Sequence, residues 1–126
     1  MSTEGLLFHK EHGWVRVANG TVVVGISDYA QDTLGDIVYL DIPDDGDAIA
    51  AGDVIGEIES VKSTSDLYAP VSGKIIEINR KPADTPEVIN GDPYGDGWMY
   101  KVELSDAAEL ETLMNETEYA EYVKGL

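Results

Sequence analysis

Short β-type runs separated by turn-forming residues occupy most of this chain. Residues 14–17 and 21–25 flank an Asn19-Gly20 pair, which is typical of a β-hairpin. Further apolar runs follow at residues 37–42, 54–61, 75–78 and 98–104. Many short strands joined by Gly-, Pro- and Asp-containing turns predict a mainly β fold, built as a small sandwich or barrel.

Helical signals appear at three places. Ser27 predicts a cap for a short helix over residues 28–34, which Gly35 ends. Within the loop of residues 79–97, Pro86 predicts one helical turn. After Ser105 the apolar spacing becomes helical and predicts two C-terminal helices. Leu110, Leu113 and Met114 indicate the first helix, and a capping box of Asn115 and Glu118 indicates the start of the second.

Length and pattern together predict one domain over residues 1–126. Its β core spans about 14–104, and its C-terminal helices span about 106–124. A chain of 126 residues with 43% hydrophobic content can bury a real core, but it is too short for two typical domains.

The charge is strongly acidic, with 8 Lys and Arg against 25 Asp and Glu and a net charge of -17. Nucleic acid and anionic membrane surfaces would repel such a chain, so we expect neither as a partner. Basic protein surfaces suit it better, and a monomer is expected. The acidity equally fits a role in solubility or adaptation to a saline cytoplasm.

Cysteine is absent, so the polypeptide has no thiol for redox work, covalent catalysis or metal binding. Any sulfur chemistry must therefore arrive on a cofactor. The first residues, Met-Ser-Thr-Glu-Gly, lack the basic and apolar regions of a signal peptide, and no apolar run approaches membrane-spanning length. We expect a cytoplasmic protein.

One lysine lies between two predicted strands. Glu57, Ile58 and Glu59 alternate as in a half-buried strand with its carboxylates outward, and Leu67 belongs to a returning strand. Lys62, in the connecting turn, should point into solvent. On these grounds alone it is either a solvated charge or a displayed amine for modification.

The surrounding residues resemble a known family. Residues 59–73, Glu-Ser-Val-Lys-Ser-Thr-Ser-Asp-Leu-Tyr-Ala-Pro-Val-Ser-Gly, are similar to the lipoylation segment of glycine cleavage H proteins. Residues 25–38 and 90–98 resemble two further blocks of that family. The resemblance implies a lipoyl-domain fold, a flattened barrel-like sandwich of two small antiparallel sheets. It also implies lipoate attached to Lys62, with these recognition flanks: Glu59, Ser60, Val61, Ser63 and Asp66.

Two other carrier families do not match the flanks of Lys62. Biotin carriers typically have Ala-Met-Lys-Met, and lipoyl domains of 2-oxoacid dehydrogenases typically have Asp-Lys-Ala. Here Val61 and Ser63 flank the lysine. The sequence therefore favours the H-protein family over both.

The resemblance implies a shuttle, not an enzyme. In the family, the lipoyl arm takes an aminomethyl group from glycine decarboxylase (P protein) to a tetrahydrofolate-dependent aminomethyltransferase (T protein). Dihydrolipoyl dehydrogenase (L protein) reoxidises the arm, and a lipoate ligase or lipoyl transferase attaches it. Two alternatives stay open: a lipoyl relay that supplies other complexes, and an unmodified interaction protein of the same fold.

The family holds its loaded arm in a cleft, expected here near His12-Gly13-Trp14 and the hairpin. The family usually has Glu where this chain has Gly13, so we hypothesise slightly weaker retention of the arm, with Asp66 or Glu11 as a substitute carboxylate. His9 and His12 are too few for a metal site. Pairs of acidic residues fit solvated faces, so we assign no metal ligand and no catalytic residue.

Overall fold

A computed structural model describes residues 5–18 and 20–126. Within these residues the chain forms nine strands, β1 to β9. In chain order they are Leu7–Phe8, Gly13–Ala18, Thr21–Ile26, Ile37–Asp41, Ala48–Ile49, Val54–Ser60, Thr64–Tyr68, Gly73–Ile78 and Tyr100–Leu104. The predicted mainly β fold is confirmed.

The strands form two antiparallel sheets, as predicted. One is six-stranded, in the order β1-β2-β3-β9-β8-β5, and the other is three-stranded, in the order β4-β6-β7. Neither sheet closes on itself in the described part of the chain, so β7 is an edge strand. The predicted hairpin is confirmed through the pairing of Ala18 with Thr21, while Asn19 itself lies outside the described residues.

The core lies between the sheets and is continued by a smaller cluster at one end. Side chains on the inner faces of the strands form it, including Leu40, Ile58 and Leu67 of the three-stranded sheet. The smaller cluster is Leu6, Phe8, Trp14 and Tyr119. Full burial of an apolar side chain contributes about 1.5–3 kcal/mol, so this cluster stabilises the packing of the C-terminal region, which contains Tyr119, against β1 and β2.

Four α-helices and one 3-10 helix complete the described fold. They are α1 Asp28–Leu34, α2 Arg80–Asp84, α3 Glu87–Gly91, the 3-10 helix Ala107–Thr112 and α4 Glu116–Lys124. Ser27 Oγ accepts the Ala30 N–H at 3.1 Å, which confirms the predicted cap of α1. Asn115 and Glu118 form the predicted capping box. No described helix is long and apolar enough to cross a membrane.

Several local predictions differ from the structure. The last strand begins at Tyr100, two residues later than predicted, because the Trp98 N–H donates to Gly95 O in a turn. Helix α2 was not predicted; Asn79 caps it, and Pro82 lies buried within it. The first C-terminal helix is 3-10 and not α. The short strands β1 and β5 were also missed, because each has only two residues.

Candidate functional site

Lys62 lies in the tight turn that joins β6 to β7, and it is exposed. Ser60 braces this turn from inside. Its N–H donates to Ser63 O at 2.8 Å, and its hydroxyl both donates to Ser63 O and accepts the Ser63 N–H, each at 3.2 Å. Because Ser60 and Ser63 are hydrogen-bonded to each other, the two residues between them, Val61 and Lys62, project outward.

A second set of hydrogen bonds fixes the turn to the end of α1. The Val61 N–H donates to Asp36 O at 3.0 Å. Beside Asp36, the Asn90 side chain accepts the Ile37 N–H and donates to Gly35 O, both at 2.9 Å. One amide from helix α3 therefore holds the backbone on which the turn rests.

The Lys62 side chain crosses the C-terminal end of α1 over Gly35. Gly35 has φ 84° and ψ -157°, a conformation that essentially only glycine adopts. A Cβ at this position would lie 3.3 Å from Cε of Lys62. Glycine is thus required here twice, by the backbone turn and by the close approach of the lysine stem.

A groove of about 190 Å³ runs between α1 and β7, and we call it the α1–β7 groove. Its lining includes Leu34 near the Lys62 end and Glu11, His12 and Gly13 at the other. The Ser27 N–H donates to His12 O at 2.9 Å, which sets His12 at the N-terminal end of α1. The Lys62 end and the His12 end of the groove lie at opposite ends of α1, and a seven-residue helix spans about 10 Å.

The predicted flanks of Lys62 fall into two groups. Glu59, Val61 and Ser63 are exposed, and Val61 is 69% exposed although it is apolar. Ser60 is buried and holds the turn. Asp66 is exposed on edge strand β7 and also lines the α1–β7 groove, together with Glu11.

His12 has an unusual backbone and a fully engaged Nδ1. Its φ is 75°, and it is the one non-glycine residue with positive φ among the described residues. Nδ1 lies 2.7 Å from Tyr119 Oη, which lies 2.7 Å from Ser27 Oγ. Burial lowers the pKa of His12 below 6.5, against the opposite influence of Glu11. Burial also raises the pKa of Tyr119 to about 12, although its hydrogen bond with Ser27 lowers it.

His9 is engaged separately from His12. Its Nδ1 accepts the Glu11 N–H at 3.1 Å, whereas Nδ1 of His12 faces Tyr119. The two histidine rings therefore use Nδ1 differently, since His9 accepts a backbone N–H and His12 contacts a tyrosine hydroxyl.

The comparisons with known proteins agree with one another. The family described as Glycine cleavage H-protein matches residues 6–126. The glycine cleavage system H protein of Marinobacter nauticus is 54% identical over 119 residues, which cover 94% of this chain and 92% of that protein. That of Coprothermobacter proteolyticus is 51% identical over 121 residues, covering 95% of each.

A solved structure extends the similarity to three dimensions. The crystal structure of a glycine cleavage system H protein from Mycobacterium marinum superposes with a TM-score of 0.87 at 39% identity, covering 97% of this chain and 98% of that one. The chain belongs to the glycine cleavage H-protein family. The family assignment and the fold implied by the sequence resemblance are both confirmed.

Sequence reasoning gave three residues of this candidate site no part in positioning Lys62 or His12. Gly35 and Asn90 lie inside the blocks that resemble the family, but their contacts with Lys62 and the loop beneath it join distant parts of the chain. Tyr119 is the buried residue of α4. Its hydrogen bonds to Ser27 and His12 span 92 and 107 residues, a separation that no local pattern signals.

Proposed function

We propose that Lys62 carries a covalent lipoyl group and that the protein is a non-catalytic, cytoplasmic shuttle of the glycine cleavage system. The observation that carries the proposal is the display of Lys62 at the tip of a braced turn, with its side chain crossing α1 beside the α1–β7 groove. An attaching enzyme can reach this amine, and the groove provides a place for what is attached.

The attached group would supply the redox-active sulfur that the cysteine-free polypeptide lacks. With it, the protein would serve as the carrier of the aminomethyl group of glycine between the decarboxylase (P protein) and the aminomethyltransferase (T protein). Dihydrolipoyl dehydrogenase (L protein) would be the partner that restores the oxidised sulfur. The chain's own residues orient and shelter the arm. Ser60 and Asn90 hold the attachment point, and Gly35 lets the lysine stem lie flat.

The lining of the groove suits an arm with an apolar stem and a polar end. Ala30, Leu34 and Ile58 offer aliphatic contacts, while Glu11 and Asp66 offer carboxylates to a cationic amine. A closed contact of this kind excludes water from a reactive group. In this proposal Glu11 and Asp66 together replace the carboxylate that is absent at Gly13.

The acidic surface completes the proposal. A net charge of -17 favours encounter with partner enzymes that present basic surfaces around their active sites. One carrier domain that acts as a monomer can meet several such partners in turn, including the ligase or transferase that attaches lipoate.

Modification of Lys62 is tested by intact mass after expression with lipoate and a lipoate ligase. The matched control is Lys74, which is also exposed but lies within β8, paired on both sides with Ala48 and Glu103. We expect the parent and Lys74→Arg to gain one lipoyl group and Lys62→Arg to gain none. An unmodified parent, or an equally modified Lys62→Arg variant, would contradict the proposal.

The shuttle is tested separately by reconstitution. Lipoylated protein is combined with the decarboxylase, the aminomethyltransferase and tetrahydrofolate, and one-carbon transfer from glycine is measured. Transfer that depends on Lys62 supports the shuttle. Lipoylation without transfer would refute the shuttle and favour a lipoyl relay, which is checked by delivery of lipoate to a second acceptor.

A further inference from the structure

Asn90 supports the Lys62 turn through a side-chain amide that makes three hydrogen bonds, each 2.9 Å long. Oδ1 accepts the Ile37 N–H. Nδ2 donates to Gly35 O and to Gln31 Oε1. Two of the three bonds require an amide, because a carboxylate accepts hydrogen bonds but cannot donate them.

The residue that follows Asn90 in the chain is glycine. The sequence contains four asparagines, Asn19, Asn79, Asn90 and Asn115, and glycine follows only the first and the third of them. Asparagine is thermolabile, and an Asn-Gly pair especially so, because glycine has no side chain to hinder attack of its backbone nitrogen on the asparagine amide. The pair at residues 90 and 91 therefore places a labile amide at the support of the turn.

Asn90 and Gly91 are the last two residues of α3, which has five residues and no side-chain cap at its start. Helices this short are marginal, and their ends fray. Ile89 is fully buried and anchors the middle of α3, so the end can open without unfolding of the core. The side-chain bonds of Asn90, and the bond from the Asp92 N–H to Val88 O at 2.9 Å, hold this end closed.

Opening of this end allows a reaction that needs only water. The backbone nitrogen of Gly91 loses its proton and attacks Cγ of Asn90, the bond from Cγ to Nδ2 breaks, and ammonia leaves. The product is a cyclic succinimide. Water then opens the ring at Cγ to give aspartate, or at the backbone carbonyl carbon to give isoaspartate, in which the main chain runs through Cβ and Cγ.

Neither product fits the place that the amide occupied. Aspartate would set a carboxylate oxygen against Gly35 O, which has no proton to donate. Gln31 cannot compensate, because its Nε2 already donates to Asp28 Oδ1 at 2.7 Å, and turning its amide round would set its oxygen against Asp28. Isoaspartate adds a backbone carbon within the last turn of α3. Both products therefore remove support from beneath the Lys62 turn.

We propose that Asn90 is a site of spontaneous deamidation through Gly91, that its hydrogen bonds in the fold restrain the reaction, and that the product no longer supports the Lys62 turn. The consequence for lipoate rests on the proposed attachment to Lys62. Deamidation would limit how long a carrier molecule remains a good substrate for attachment, and opening of α3 would set the rate.

The first test locates the modification by peptide mass mapping after incubation at mildly alkaline pH. We expect modification at Asn90 and none at Asn79 or Asn115. Gly91→Ala is the matched variant, because a Cβ there meets nothing within 4 Å, and it should abolish the modification of Asn90 over the same interval. An unmodified Asn90 in the parent, or equal modification in Gly91→Ala, would overturn the inference.

The second test asks whether the fold restrains the reaction. Gln31→Ala removes one partner of Asn90, leaves the Asn-Gly pair intact and keeps a good helix former in α1. The loss of one hydrogen bond predicts deamidation about two- to tenfold faster. Thr33→Ala is the control, since Thr33 is an exposed residue of α1 that does not bond to Asn90. Equal rates in the parent and Gln31→Ala would overturn the inference.

The third test measures the consequence with Asn90→Asp, which reproduces the aspartate product. Loss of two donated hydrogen bonds should speed amide exchange of the Val61 N–H about fivefold or more. The increase should exceed that of the Met99 N–H, which donates to Val24 O in the six-stranded sheet. Attachment of lipoate should be about threefold or more slower, for the same reason.

The outcomes separate this inference from the proposed function. A parent that gains no lipoyl group would refute the proposed function, while mass mapping and amide exchange still decide the inference. A lipoylated parent whose Asn90→Asp variant shows unchanged exchange of the Val61 N–H and unchanged attachment would overturn the inference alone. If Asn90→Asp does not fold, the deamidated fraction of the incubated parent, separated by its added negative charge, takes its place.

Discussion

The two ends of the α1–β7 groove are built in opposite ways. At one end the backbone beneath Lys62 is tied down by Ser60 and Asn90, while the lysine side chain itself makes no described hydrogen bond. At the other end the His12 side chain is fixed by Tyr119, and its backbone is strained. One end displays a side chain, and the other holds one still.

This difference fits two requirements of the lipoyl carrier that we propose. An attachment point must be open to a modifying enzyme, so rigidity belongs in the turn and not in the amine. A resting place for the arm must be preorganised, because ordering side chains on contact would consume part of the binding free energy. The following changes test each end, from the largest expected effect to the smallest.

The largest effect on stability is expected for Asn90→Ala, which removes the support beneath the Lys62 end of the groove. It removes hydrogen bonds to the Ile37 N–H, Gly35 O and Gln31, and leaves backbone groups unpaired. The free energy of unfolding should fall by about 2–3 kcal/mol, measured by urea denaturation. Lipoylation of Lys62 should also slow, because the turn loses its support.

Asn79→Ala is the control for Asn90→Ala. Its side chain also donates twice to the backbone, to Asp96 O at 2.9 Å and Trp98 O at 2.6 Å, but neither residue belongs to the Lys62 turn or to the backbone that supports it. A comparable loss of stability with an unchanged lipoylation rate is expected. Equal slowing in both variants would mean that overall stability, and not the local support, governs access to Lys62.

A smaller effect is expected for Ser60→Ala. This buried hydroxyl braces the turn through Ser63, and its loss should lower the free energy of unfolding by about 1 kcal/mol. Ser63→Ala removes an exposed hydroxyl and should change stability by less than about 0.5 kcal/mol. If Ser63→Ala nevertheless slows lipoylation more than Ser60→Ala does, Ser63 acts through direct recognition by the ligase.

The smallest effect on stability is expected for Gly13→Glu at the His12 end. Although Gly13 is buried, a Cβ there would lie 3.6 Å from Pro70 Cγ, an ordinary contact, so the free energy of unfolding should fall by less than the about 1 kcal/mol expected for Ser60→Ala. An added carboxylate in the groove should lengthen retention of the amine-loaded arm, measured as its lifetime against hydrolysis. Gly13→Gln is the neutral control, and an unchanged lifetime in Gly13→Glu would contradict the hypothesis of weakened retention.

Much of the fold was predictable because its signals are local. Ser27 at the start of α1 and the capping box of Asn115 and Glu118 act within one helical turn, and alternation around Ile58 predicted the strand before Lys62. Helix α2 was not predictable in the same way, since Pro82 and the surrounding loop composition favoured an irregular segment. Packing of Pro82 into the interior outweighed that local preference.

The sequence by itself determined the alternation of the strands, the caps of the helices, the absence of cysteine and the position of Lys62 in a turn, because each depends on residues close together in the chain. Only the tertiary structure decided that Asn90 supports that turn, that Gly35 receives the lysine stem, and that Tyr119 orients His12. These contacts join residues that are distant in sequence, and the packing of two sheets around one core brings them together.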